Sequence, residues 1–302
     1  VNEEKENLVE IEKDLKVKLE KNKALLKNAN SSKKFENIII FFHIFKCGGT
    51  TFNWLLQENF PDQVIYAESA TQTALKREKL VDLIEIQNTD NFRQTSAISS
   101  HNINHSCYDL AKIPFTIVRQ PHKRNWSAYN FHKLDDVSND SYSYVEYLKS
   151  NSNFQVKSLS NGLDINKVRV SEILNNFQIG ILERFDESMI CLEVILEKQG
   201  IFIDFSYPKN LNSQKYEGKD NQIDKTLNNH SEKDKEFKDF YKLDYSLYNG
   251  ANKKLDIEIE GIKDFEKRMT DFKFRCEKLK EITYKGKRRL FGQGPVSFNY
   301  LN

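Results

Sequence analysis

Apolar positions along this chain fall into short continuous runs separated by longer stretches with helical spacing. The clearest run is Asn37-Ile38-Ile39-Ile40-Phe41-Phe42-His43-Ile44, nearly all apolar and rich in β-branched and aromatic residues. That composition suits a strand covered on both faces, as in a parallel sheet. Gly48-Gly49 interrupt the run, and Thr50-Thr51-Phe52-Asn53-Trp54-Leu55-Leu56 continues as a helix with a threonine near its amino end. Three further strand patterns follow. Thr95–Ser100 ends at His101, Pro114–Val118 ends at Arg119, and Phe177–Leu182 ends at Glu183. Helical patterns cover 122–132, 141–150 and 185–199. Strands alternating with helices predict an α/β fold with a mainly parallel central sheet flanked by helices.

The ends of the chain read differently. Residues 1–35 are highly charged, with Leu8, Ile11, Leu15, Leu19 and Leu26 at helical spacing. They predict a solvated helix and linker ahead of one domain over 36–302. Two charged helices are expected within 230–280, with Tyr241, Leu243, Leu247 and Tyr248 facing inward, then a loop from Thr283 to Asn302. The small basic cluster Lys285-Gly286-Lys287-Arg288-Arg289 lies in that loop.

Composition narrows the possibilities. A chain of 302 residues with 38% hydrophobic content can bury one substantial core. With 46 basic and 44 acidic residues and no basic stripe, it lacks the signature of a nucleic-acid binder. No stretch approaches the ~20 apolar residues of a membrane span, and no signal peptide is visible. Cys47, Cys107, Cys191 and Cys276 form no CxxC pair, so neither a zinc site nor a disulfide framework is expected. Reduced thiols and a bacterial-type cytoplasmic location are the expectation, a lumenal form with its anchor removed being the alternative. Of the Asn-x-Ser sequons at Asn30, Asn104, Asn125 and Asn139, Asn125 lies just after the strand end at Arg119, in a turn expected to bind a ligand, where a glycan would obstruct.

The candidate chemistry begins at Phe45-Lys46-Cys47-Gly48-Gly49-Thr50-Thr51. Glycines let backbone amides approach an anion, the helix start adds its positive dipole end, and threonine hydroxyls and a lysine add donors and charge. This is a phosphate cradle but not a Walker A loop, because the lysine precedes the glycines. A second anion pattern is Phe115-Thr116-Ile117-Val118-Arg119-Gln120-Pro121-His122-Lys123-Arg124-Asn125-Trp126-Ser127-Ala128-Tyr129. Here an arginine fork at a strand end is followed by a proline-initiated helix carrying a serine.

Together these two segments resemble the phosphate-binding motifs of sulfotransferases that use 3′-phosphoadenosine 5′-phosphosulfate (PAPS). The likeness is closest to the carbohydrate branch that includes the heparan and chondroitin 2-O-sulfotransferases and their bacterial relatives. The first segment is similar to that branch's His-Ile-Pro-Lys-Thr-Gly-Gly-Thr-Ser, with Phe45, Cys47 and Thr51 as departures. The second is similar to its Arg-Asp-Pro-x-x-Arg…Ser-x-Tyr, with Gln120 in place of the aspartate. The resemblance spans about residues 37–250 and implies a P-loop-like sulfotransferase fold that takes PAPS as co-substrate and uses no metal. The acceptor it implies is a hydroxyl, on a carbohydrate. Lys46, Cys47, Gly48, Gly49, Thr50 and Thr51 would hold the 5′-phosphosulfate, and Arg119 and Ser127 the 3′-phosphate. Lys46 would also stabilise the leaving phosphate. The acceptor must lose its proton to a base near the sulfur, for which histidine is suited, and the resemblance matches Ser100-His101 to a Gly-His step whose histidine looks like that base. His101 is therefore the expected base, with His105, four residues on, and Glu183, at a strand end, as alternatives and His43 orienting the loop. Acceptor contacts are expected from loops at 60–95 and 133–175. Other readings are a sulfotransferase acting on a small molecule, lipid or tyrosine, and a nucleotide-binding relative without transfer activity. A nucleotide kinase is disfavoured.

Overall fold

The computed structural model describes residues 39–68, 74–90, 95–135, 144–161, 163–208 and 239–284. The expected amino-terminal helix, the start of the strand run at Asn37-Ile38 and the basic cluster at 285–289 lie outside them. Five parallel strands form the sheet: β1 (Ile39–Phe42), β2 (Val64–Tyr66), β3 (Ala97–Ser100), β4 (Ile113–Val118) and β5 (Gln178–Ile181). Their order is β2-β3-β1-β4-β5, so β1 lies at the centre with β3 and β4 on either side.

The alternation of side chains along each strand builds two cores. Ile39 and Phe41 of β1, with Phe115 and Ile117 of β4, face α1 (Gly49–Asn59), α7 (Phe185–Lys198) and α9 (Phe265–Tyr284). Ile40 and Phe42, with Ile98 and Ile179, face the opposite layer. That layer holds α2 (Arg77–Asp90), α5 (Phe154–Leu159), α6 (Val170–Asn176) and α8 (Lys242–Glu260). Two further helices, α3 (Pro121–Asp135) and α4 (Tyr144–Ser150), complete the fold. The aromatic stack Phe41, Phe52 and Phe115 is fully buried, each side chain contributing about 1.5–3 kcal/mol by removal from water.

The architecture is therefore α/β with an all-parallel five-stranded sheet flanked by helices. The four predicted strands form within a residue or two of their expected bounds. Two segments depart from expectation. Residues 60–95, expected as a loop, carry β2 and α2, and 133–175 carries α5 and α6 besides α4, which forms within the helix expected at 141–150. Strand β2 is only three residues long and half-buried at the sheet edge, too short to show a period of its own. The cap of α1 is Gly48, with no side-chain bond, rather than a threonine. Among the described residues no helix is long and apolar enough to cross a membrane.

Candidate functional site

Parallel strands deliver their carboxyl ends to one edge, where α/β proteins collect their chemistry. Here that edge carries Glu68 after β2, His101 after β3, His43 and Lys46 after β1, Arg119 after β4 and Glu183 after β5. The elements leaving β1 and β3 diverge: α1 packs on one face, and the 3₁₀ helix His105–Leu110 on the other. A narrow crevice at this edge is lined by His43, Ser100, His101 and Ser158 with apolar neighbours.

The turn after β1 is tightly wound. Cys47 donates its amide to the Ile44 carbonyl at 3.2 Å. Lys46 and Gly48 both have positive φ, 66° and 84°. Its two glycines are needed for different reasons. Gly48 takes a left-handed conformation that disfavours other residues. Gly49 has no room for a β-carbon, which would fall 1.6 Å from His43 Nε2. With no side chain capping α1, the amides of its first turn, Gly49, Thr50 and Thr51, are donors without intrahelical partners. Thr50 is exposed and Thr51 half-buried. The Lys46 ammonium lies over the Phe131 ring, 4.5 Å from its centre.

Cys47 departs from the sequence expectation. Its side chain is buried, its thiol contacts Gln155 Oε1 at 3.5 Å, and its amide is spent within the turn. Burial pushes the thiol up to about 12, so it stays protonated. Neither the thiol nor the amide is offered to a ligand.

The second anion segment meets this turn directly. Arg119 Nη1 donates to the Lys46 carbonyl at 3.3 Å, and Arg124 Nε donates to the Phe45 carbonyl at 3.1 Å. Arg124 is fully buried against the Phe154 ring, 3.5 Å from its centre, and desolvation lowers its pKa. Gln155 ties the two segments together. Its Oε1 accepts the Arg119 amide at 2.9 Å, its Nε2 donates to the Arg119 carbonyl at 2.8 Å, and the same Oε1 receives Cys47. Asp244 in turn accepts the Gln155 and Val156 amides at the start of α5, at 3.2 and 2.9 Å. Asn153 returns the favour by accepting the Leu243 and Asp244 amides.

On the other side of β1, His43 and His101 stack with ring centres 3.7 Å apart. Burial, and then the neighbouring His101, hold His43 well below the ordinary imidazole range, so its ring is neutral. Its Nδ1 is buried without a hydrogen-bond partner. His101 Nδ1 is 2.9 Å from Glu68 Oε1. His43, Glu68 and His101 each bring a ligand-type atom within 4.8 Å of the others. Those are donor types that zinc accepts.

The other sequence candidates are placed as follows. Ser127 is half-buried on the second turn of α3. His105 opens the 3₁₀ helix with its ring against Tyr108. Glu183 accepts the Gln120 amide at 3.0 Å, beyond β4 and on the far side of β1 from His101. Asn125 is fully buried, which closes its sequon to modification. Sequence reasoning missed Glu68 and Gln155, which lie in segments read as loops. It gave Arg124 only as part of the second motif and did not single out Asp244. No protein-family model and no curated protein sequence matches the chain.

Proposed function

We propose that this chain transfers a sulfuryl group from PAPS to an acceptor hydroxyl, on a P-loop-like sulfotransferase fold. The observation that carries the reading is the contact between the two anion segments, Arg119 Nη1 to the Lys46 carbonyl, at the ends of adjacent parallel strands. A donor with phosphates at both ends of an adenosine needs two such segments side by side.

In this reading the acceptor oxygen forms a bond to sulfur while the sulfur–oxygen bond to the 5′-phosphate breaks, its electron pair remaining on the phosphate. The acceptor proton passes to His101. Lys46 and the first-turn amides of α1 stabilise the charge that builds on the departing phosphate. Arg119 and Ser127 hold the 3′-phosphate. Sulfuryl transfer of this kind needs no metal, and the acceptor is a carbohydrate hydroxyl. The core-turned Cys47 favours one competing reading, a relative that binds the nucleotide without transferring from it.

Isothermal titration with 3′-phosphoadenosine 5′-phosphate (PAP) tests the proposal. Micromolar-range binding, lost in Arg119→Ala and weakened in Lys46→Ala, is expected. No binding by the native protein would sink the reading. PAP binding without sulfation of any glycan, phenol or lipid alcohol by labelled PAPS would favour the non-transferring relative.

A further inference from the structure

Glu68 lies two residues beyond β2, and the register Tyr66↔Ser99 brings it beside His101, two residues beyond Ser99. The carboxylate meets His101 at more than one atom. Oε1 is 2.9 Å from Nδ1, and the His101 amide donates to Oε1 and Oε2 at 3.3 and 3.4 Å. The imidazole also lies against the His43 ring, with centres 3.7 Å apart and planes tilted by 36°. A ring gripped at Nδ1 and backed by a second ring has one nitrogen left to present, Nε2.

We infer that Glu68 is the positioning residue of a carboxylate–imidazole dyad, holding the Nδ1–H of His101 so that an unprotonated Nε2 faces the acceptor hydroxyl. The inference rests on the sulfuryl-transfer reading for its reaction, though not for its geometry. When Nε2 takes the acceptor proton, the ring becomes positive beside a carboxylate, and the proton stays on the ring until water removes it. Glu68 itself is not protonated, as in other carboxylate–histidine pairs. The neutral His43 adds no competing charge to the stack. Glu68 touches neither donor nor acceptor in this scheme, so its loss acts on the chemical step and not on donor affinity.

Three measurements on native protein, Glu68→Ala and Glu68→Gln test this. Nitrogen-15 spectra of histidine-labelled protein at mildly alkaline pH report which nitrogen of His101 carries the proton. Turnover of PAPS with water as acceptor reports the base. Titration with PAP reports the donor site and the integrity of the fold. The native ring is expected as the Nδ1–H form. In Glu68→Ala it shifts to the Nε2–H form, and kcat falls on the order of tenfold to a hundredfold while KM for PAPS and the Kd for PAP stay within about twofold. Glu68→Gln keeps an acceptor oxygen, so it retains the tautomer and recovers part of the rate. An Nε2–H ring in native protein, or an unchanged tautomer and rate in Glu68→Ala, overturns the inference. So does stoichiometric zinc or cobalt that Glu68→Ala abolishes, since the carboxylate would then be a metal ligand. A native protein that binds no PAP overturns the donor reading instead, and the tautomer still decides whether Glu68 sets the ring.

Discussion

Gln155 grips Arg119 at both backbone groups, accepting its amide at 2.9 Å and donating to its carbonyl at 2.8 Å. The same side chain receives the Cys47 thiol, so one buried amide joins the two anion segments. Gln155→Leu strips side-chain partners from both Arg119 backbone groups. The expected cost is about 2–4 kcal/mol of stability, read by urea denaturation, with at least tenfold weaker PAP binding. Gln155→Glu keeps the acceptor and is expected to lie between. Undiminished PAP affinity in a folded Gln155→Leu protein would show that Arg119 holds its place without the clamp.

The contact between Gly49 and His43 makes a second prediction. A β-carbon at Gly49 would sit 1.6 Å from His43 Nε2, so Gly49→Ala must push the imidazole out of its stack on His101. Overpacking of this kind costs roughly 1–3 kcal/mol. Removing the obstacle relieves it, so the Gly49→Ala/His43→Ala double variant is expected to lose less than the sum of the singles. Strict additivity in thermal melts would rule out the steric account.

Asp244 carries a pH signature. Burial raises its carboxyl from the ordinary 3.8 to about 6, against the opposing bonds from the Val156 and Gln155 amides. The folded protein thus holds this proton more tightly than the unfolded chain does. The stability it contributes is full below about pH 4 and is lost as pH rises through about 6. A rise of that size corresponds to about 3 kcal/mol. Denaturation curves of native protein and Asp244→Asn at several pH values should show the native protein losing ground to the variant between those limits. A gap independent of pH would mean the carboxyl titrates normally.

Arg275 provides a control remote from the candidate site. It lies buried on α9, bonded to Glu193 at 3.0 Å, Asp271 at 2.9 Å and Asp204. The Glu193 and Asp204 carboxylates raise its pKa despite the opposing effect of burial, and burial raises that of Glu193. Arg275→Met leaves Glu193 buried and uncompensated, for an expected loss of about 3–5 kcal/mol. Protein that remains folded should bind PAP as the native does. Parallel losses of stability and PAP affinity would show that this side of the fold supports the nucleotide site.

Read alone, the sequence determined the α/β class, four of the five strands and the two turns that carry Lys46 and Arg119. Continuous apolar runs such as Ile39–Phe42 and Phe115–Val118 have few alternatives to a doubly covered strand. Glycine pairs and strand-end arginines are signals spelled out by neighbouring residues. What only the tertiary structure decided was which strands adjoin and which distant side chains meet. Strand order is a property of packing two helical layers on a sheet, and no local pattern encodes that β1 lies between β3 and β4. The three-residue β2 is too short to declare itself, so Glu68 looked like a loop residue until pairing in register set it beside His101. Gln155 and Arg119 are 36 residues apart, and Gln155 and Asp244 89, so their bonds exist only once the chain has closed on itself. Cys47 shows the reverse case: its place in the turn suggested a ligand contact, and burial turned its thiol to the core.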